Sequence, residues 1–262
     1  MKPIARALDD ATRQLTKSSD TARLDAELLM AEALHIDRDR LLLSPPDRDV
    51  PKRFWDMVGR RAFWNIELHV GPGVLVPRPD SEALIASAIE HFEAAAGPKR
   101  ILDLGTGPGT LLLAALDIWP DATGLGVDVS RQALSYASAN ARRLGFEARA
   151  KLMQGDWAKG LLEKFDLILC NPPYIADGAE VGAGVREYEP DEALFAGQEG
   201  LDAYRALAPQ LPQLLNSGGI AAIEIGPDQA DAVTALLARD GLQARVATDL
   251  AERPRAILLT WV

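Results

Sequence analysis

At 262 residues the chain is long enough for one large domain, or for an ordinary domain with a smaller companion. Its 48% apolar and 25% charged composition is that of a folded protein with a sizeable core, and no apolar run approaches the ~18 residues of a membrane span. The net charge of −10 is uneven, since residues 1–61 hold 12 Lys/Arg against 11 Asp/Glu and all the excess acid lies beyond them, which argues against direct DNA binding.

The N-terminal stretch carries acids early and has no continuous apolar segment, unlike a secretion signal. The single cysteine, Cys170, excludes an internal disulfide and a cysteine zinc cluster, and a reducing, cytoplasmic setting is expected. Ile4, Leu8, Ala11 and Leu15 recur at helical spacing, as do Leu24, Leu28, Ala31 and Leu34 after the capping cluster Ser18-Ser19-Asp20. Phe54, Met57 and Val58 suggest a further short helix, so residues 1–64 read as a small helical domain. In 65–79 the period changes: Ile66, Leu68 and Val70 alternate, Gly71-Pro72-Gly73 reads as a turn, and Val74–Val76 resume, which predicts a β-hairpin linker.

From residue 80 to 262 strands and helices alternate. Strands are expected at 100–105, 123–129, 149–154, 165–170 and 219–226, with helices at 81–95, 110–118, 131–144, 201–215 (interrupted near Pro209 and Pro212) and 227–239. This is an α/β pattern with a mostly parallel sheet. The last two strands, in 243–250 and 255–262, lie too close for a helical crossover and should pair antiparallel.

Chemistry concentrates at strand ends. Gly105-Thr106-Gly107-Pro108-Gly109 follows the first strand of the larger domain, and its glycines let a ligand approach the backbone. The spacing is neither the dinucleotide fingerprint nor a phosphate-binding P-loop. Asp128, at the end of the next strand, can accept both hydroxyls of a ribose. Loop and acid together suit a nucleoside without a pyrophosphate, S-adenosylmethionine rather than NAD. Asp156 and Trp157 follow the third strand, where they can bond and flank an adenine.

Asn171-Pro172-Pro173-Tyr174 closes the fourth strand, next to the sheet's switch point. The Asn171 amide oxygen and the Pro172 carbonyl are two acceptors, and the prolines bring fixed φ and no competing N–H. Such a pair suits a planar NH2 group, on which Tyr174 can stack. The segment 176–200, long and glycine-rich, is expected to cover the acceptor site. Arg78 is a candidate substrate contact, Glu224 ends a strand near the site, and the three histidines show no metal spacing.

With these motifs in hand the chain resembles the protein-(glutamine-N5) methyltransferases that modify peptide chain release factors, the PrmC/HemK family. The resemblance runs through Arg23–Leu34, the stretch Gly59–Ile85 with its Pro-Arg-Pro-Asp-Ser-Glu signature, and the segments "DLGTGPG", "GVDVS", "GDW", "NPPYI", "REYEP", "EIG" and "DLAERPR", in order. Pro108 stands where the family usually has serine, and the segment before Gly59 lacks a stretch common in the family. The resemblance implies a class I (Rossmann-like) S-adenosylmethionine-dependent methyltransferase domain. It places the donor at Gly105–Gly109, Asp128, Trp157 and Asn171, and an acceptor glutamine at Asn171–Tyr174. The implied substrate is the Gly-Gly-Gln loop of bacterial class 1 release factors. Methylation of a ribosomal-protein glutamine, adenine-N6 methylation and a catalytically inactive S-adenosylmethionine-binding module are the competing readings.

Overall fold

The computed structural model describes residues 3–16, 19, 21–46, 50–51, 54, 57–71, 73–179, 190–249 and 251–262. The chain divides into two compact units, the first built on Met1–Arg60 and the second on Arg61–Glu180 with Glu189–Val262. Among the described residues, no helix is long and apolar enough to cross a membrane.

The first unit contains α1 (Pro3–Leu15), α2 (Ala22–Leu34) and α3 (Arg38–Leu43). Ile4, Leu8, Ala11 and Leu15 form one buried stripe of α1. On α2 the buried face takes in Ala31 and Leu34 of the expected stripe but not Leu24 and Leu28. Ala22, Ala26, Met30, Ala33 and Leu34 pack inward, whereas Leu24 and Leu28 are 39% and 49% exposed. This buried face, rich in small residues, shares one core with the buried stripe of α1. Phe54 and Val58 are fully buried in the same core, while residues 52, 53, 55 and 56 of the expected third helix lie outside the described residues, as do Ser18 and Asp20. Buried Glu27 is held by Arg23 and Arg38, each at 2.7 Å.

The second unit opens with a two-stranded sheet of β1 (Arg60–Phe63) and β2 (Ile66–His69), joined through Trp64 and Asn65. The hairpin is real but displaced: the partner of β2 lies upstream, and Val74–Val76 form no strand. Gly71 is used for close packing instead of a hairpin turn, since a Cβ there would lie 2.2 Å from the Tyr136 hydroxyl.

A seven-stranded sheet follows, in the order β5-β4-β3-β6-β7-β9-β8. Its strands are β3 (Arg100–Leu104), β4 (Thr123–Asp128), β5 (Ala150–Gln154), β6 (Phe165–Cys170), β7 (Leu215–Glu224), β8 (Leu242–Thr248) and β9 (Pro254–Trp261). The first five pair in parallel, and β9 runs antiparallel to both its neighbours, as the short connection predicts. Helices α4 (Glu82–Phe92), α5 (Thr110–Ile118) and α6 (Arg131–Arg143) cover one face. The other face is covered by α8 (Asp202–Leu207), α9 (Leu211–Leu214) and α10 (Ala230–Leu237), after a short α7 (Asp191–Leu194). Both faces are therefore apolar, and β6 alternates Leu167 and Leu169 toward one layer with Ile168 and Cys170 toward the other. Pro212 starts α9 rather than interrupting a longer helix. The expected helix at 201–215 is accordingly two short ones, and β7 begins at Leu215, four residues before Gly219.

The connection from β3 runs outward through β4 and β5 before returning to β6 on the other side of β3. The carboxyl ends of β3 and β6 thus flank the crevice where open α/β sheets hold ligands.

Candidate active site

The glycine loop is tied down from both sides. Gly105 and Thr106 both donate their N–H to the Val127 carbonyl, at 2.9 and 3.0 Å. Asp103 is fully buried beneath the loop, and its Oδ2 accepts from the Thr106 hydroxyl at 2.6 Å and from Leu112 N–H at 3.1 Å. Burial pushes its pKa up to about 7, with those two bonds opposing the rise. Gly107 has φ +56°, a conformation that side chains rarely adopt, and open space where a Cβ would stand.

Asp128 holds the loop from the neighbouring strand. Its Oδ2 accepts from Gly107 N–H and its Oδ1 from Ser130 N–H, both at 2.8 Å, so it braces the loop against β4. Burial raises its pKa despite these backbone donors. Each oxygen keeps further acceptor capacity toward the cavity it lines. The capping role next door belongs to Ser130, whose hydroxyl accepts from Ala133 N–H at 3.2 Å.

A cavity of about 380 Å³ opens at this crevice. Of the residues singled out from sequence it gathers Gly105, Gly107, Asp128, Asp156, Trp157, Asn171 and Pro173. Arg78, Thr106 and Pro108 line a smaller pocket that adjoins it and shares Gly105, Gly107 and Asn171. Gly109 lines neither pocket and caps the start of α5. Pro172 is buried. Tyr174, half-buried, is outside the cavity lining, and its carbonyl accepts from Gln229 Nε2 at 3.0 Å. Asp156 forms an ion pair with Lys159. Of the expected cover, Pro190, Glu192 and Ala193 line the cavity, while residues 180–189, including most of "REYEP", lie outside the described residues.

Three organising residues escaped the sequence reading. Asn140, fully buried on α6, exchanges bonds with His69 N–H (2.8 Å) and carbonyl (3.0 Å) and donates to the Pro108 carbonyl at 2.9 Å. It thereby joins β2 to the end of the glycine loop. Asp103 is the second. Ser81 is the third: its Oγ accepts from Asn171 Nδ2 at 3.0 Å. An asparagine on the inward stripe of an otherwise polar helix is the one sequence signal that the first of them gives.

Glu224 is buried at the end of β7, and burial lifts its pKa to about 7 against the opposing Ser81 hydrogen bond and the Arg255 charge. Arg255, also buried, pairs with Asp80 at 3.1 Å and with Asp249 at 3.5 Å. The Pro-Arg-Pro-Asp-Ser-Glu signature and the Asp249–Arg255 segment therefore meet behind Asn171.

The cavity suits S-adenosylmethionine. It offers a glycine cradle open to close approach, a carboxylate at a strand end, an aromatic side chain and an apolar wall, with no cluster of cations for a pyrophosphate among the described residues that line it. Residues 6–62 match the PrmC N-terminal domain model, and residues 97–235 match a methyltransferase domain model. The chain is 38% identical to the release factor glutamine methyltransferase of Rhodospirillum rubrum over 97% of its own length and 84% of that protein's. It is 37% identical to the enzyme of that name from Moorella thermoacetica, with 97% of each chain covered. Among solved structures, a Pyrococcus furiosus methyltransferase superposes with TM-score 0.55 at 17% identity, covering 91% of this chain and 98% of that one. A ribosomal protein L11 methylase from Lactobacillus delbrueckii subsp. bulgaricus does so with TM-score 0.52 at 22% identity, covering 70% and 80%. The structural likenesses establish the shared fold, and the sequence relatives establish the family: this chain belongs to the release factor glutamine methyltransferases.

Proposed function

We infer that the protein transfers a methyl group from S-adenosylmethionine to the side-chain amide nitrogen (N5) of the glutamine in the Gly-Gly-Gln motif of bacterial peptide chain release factors. The observation that carries this reading is that Asn171 and Pro173 line the same cavity as Gly105, Gly107 and Asp128. An NH2-orienting motif and a nucleoside cradle thus open on one space.

S-adenosylmethionine supplies an already activated methyl group and leaves as S-adenosylhomocysteine, and the methylated amide nitrogen gives up one proton to solvent, so no metal and no covalent enzyme intermediate enters the scheme. The chain's own part is orientation. Gly105, Gly107, Asp128, Asp156 and Trp157 hold the donor. Asn171 Oδ1 and the Pro172 carbonyl accept the two hydrogens of the acceptor amide, turning its nitrogen lone pair toward the methyl group, and Arg78 flanks the acceptor from the adjoining pocket. An amide nitrogen is a poor nucleophile, and positioning of this kind supplies up to ~7–11 kcal/mol of a barrier.

Radiolabelled methyl transfer to purified class 1 release factor, followed by mass mapping of the modified residue, tests the reading. Label on the Gly-Gly-Gln glutamine is the expected result. Label only on DNA or on a ribosomal protein would move the acceptor assignment, and donor binding without any transfer would favour an inactive binding module.

A further inference from the structure

Ser81 stands at the N-cap of α4, yet its hydroxyl makes none of the bonds by which a capping serine satisfies a helix's first N–H groups. It turns to the site instead. Ser81 is 2% exposed, and its Oγ accepts from Asn171 Nδ2 at 3.0 Å. The pairing of Cys170 with Ile223 brings the end of β7 beside Asn171, and there the carboxylate of Glu224, 1% exposed, has its ionised form favoured by the Ser81 hydroxyl. Three elements distant in sequence, the signature before α4, the end of β6 and the end of β7, thus meet in a chain of carboxylate, hydroxyl and amide.

The order of that chain has a consequence for Asn171. A hydroxyl has one hydrogen. Once it is given to a carboxylate, only lone pairs remain for Asn171, and they select the NH2 half of the amide. The C=O half is left for another partner, and the two prolines that follow bring no N–H to claim it.

We propose that Ser81 and Glu224 are positioning residues that set the flip of the Asn171 amide, so that Oδ1 rather than Nδ2 is offered to the acceptor group. The proposal rests on the reading that the acceptor is an amide NH2. With the amide flipped, Asn171 would present two donors to a group that needs acceptors, and the methyl-receiving nitrogen would lose its alignment.

The surroundings of Glu224 make the device sensitive to pH. Arg255 on β9 and Arg78 before α4 favour its ionised form, and Asp80 opposes it. The Tyr174, Tyr204 and Cys170 side chains also face it, and each feels its charge. Tyr204 further pins the strand end by donating to the Glu224 carbonyl at 2.9 Å. With burial holding the carboxyl at about 7, protonation occurs in the neutral range. A protonated Glu224 donates to Ser81, whose own hydrogen then turns to Asn171 and selects Oδ1. Turnover should therefore fall on the acid side of about pH 7.

The test is methyl transfer to purified class 1 release factor by the unaltered protein and by Ser81→Ala, Ser81→Thr and Glu224→Gln. Calorimetric affinity for S-adenosylmethionine and a thermal melt accompany each variant. Ser81→Ala should lower kcat by up to about 100-fold, as small misplacements of reacting groups do, with donor affinity unchanged. Ser81→Thr, which keeps the hydroxyl, should restore most of the rate. Glu224→Gln, whatever its level of activity, should lose the acid limb of the kcat profile, and this arm decides the matter even where Ser81→Ala fails to fold. No transfer by the unaltered protein overturns the acceptor reading and this proposal with it. Transfer that Ser81→Ala retains within about 2-fold, or an acid limb that survives Glu224→Gln, overturns the positioning chain alone.

Discussion

On the proposed reading Asn171 and Asp128 divide the work of the site, and their substitutions should separate binding from chemistry. Asn171→Ala removes the acceptor that aims the nitrogen while the glycine cradle keeps the donor. Its kcat should fall by ~10²–10³, the usual loss for one transition-state hydrogen bond, with little change in donor affinity by calorimetry. Near-unaltered single-turnover transfer by this variant would remove Asn171 from the chemistry. Asp128→Ala should act first on affinity. It loses a charge-assisted acceptor toward the ligand and also frees Gly107 N–H and Ser130 N–H, which the carboxylate holds at 2.8 Å. A weakening of roughly 1.5–3 kcal/mol is expected for bonds to a charged group. Unchanged calorimetric affinity would reduce Asp128 to a structural brace. Both residues line the cavity, and both could be singled out from sequence because their signals are local, an acid at a strand end and an asparagine before two prolines. Ser81 and Asn140 could not, because their partners lie 90 and 71 positions away. No pattern in one sequence joins such distant side chains.

Among elements, the periodicity that marks a strand or helix read through well, and the partner each element takes read through less well. The strands β3, β4, β5 and β6 fall within a residue of expectation, and β3 and β6, buried on both faces, read as short apolar runs. The hairpin shows the limit. Alternation at Ile66 and Leu68 identifies β2, but nothing in it says whether the mate lies before or after. The glycine at 71 pointed the wrong way because close contact with Tyr136 calls for the same residue as a turn. What anchors β2 is Asn140, which satisfies both backbone groups of His69. Asn140→Ala should strand the His69 N–H and carbonyl and the Pro108 carbonyl in a buried setting. It should cost ~1–3 kcal/mol or more by urea unfolding, at the usual penalty for an unsatisfied buried group. Hydrogen exchange at His69 should rise with it, and an unaltered urea midpoint would show that water replaces the amide without loss.

For the whole molecule, two buried acids bias stability against pH. Asp103 and Glu224 titrate in the fold at about 7, driven up by burial, whereas in the unfolded chain such groups ionise near ~4. Between those values unfolding releases protons, so their contribution to stability is full below ~4 and is lost as pH rises to about 7. Each acid gives up ~1.4 kcal/mol for every pH unit crossed in that window. Glu27 works in the opposite sense. Burial would raise its pKa, but the bonds and charges of Arg23 and Arg38 outweigh that and lower it, so its contribution is lost as pH falls. The difference between variants is therefore the proper measure. Asp103→Asn keeps an acceptor for Thr106 and Leu112, and its urea midpoint should fall less steeply than that of the unaltered protein from ~4.5 to ~7. Parallel slopes would mean that Asp103 is ionised throughout.

The place of β9 between β7 and β8 also bears on the order in which this protein can be made. A chain emerging from the ribosome presents β7 and then β8, but the strand that bonds to both, Pro254–Trp261, arrives after them. Until it does, β7 has a bare edge along Ala221–Glu224, β8 has no mate, and Arg255 is not yet beside Asp80. Such an edge is an invitation to pair with another chain. The nascent protein must therefore leave the β7 end of its sheet unfinished until β9 slides in between β7 and β8, and a message cut short before Pro254 should yield aggregate rather than a smaller enzyme.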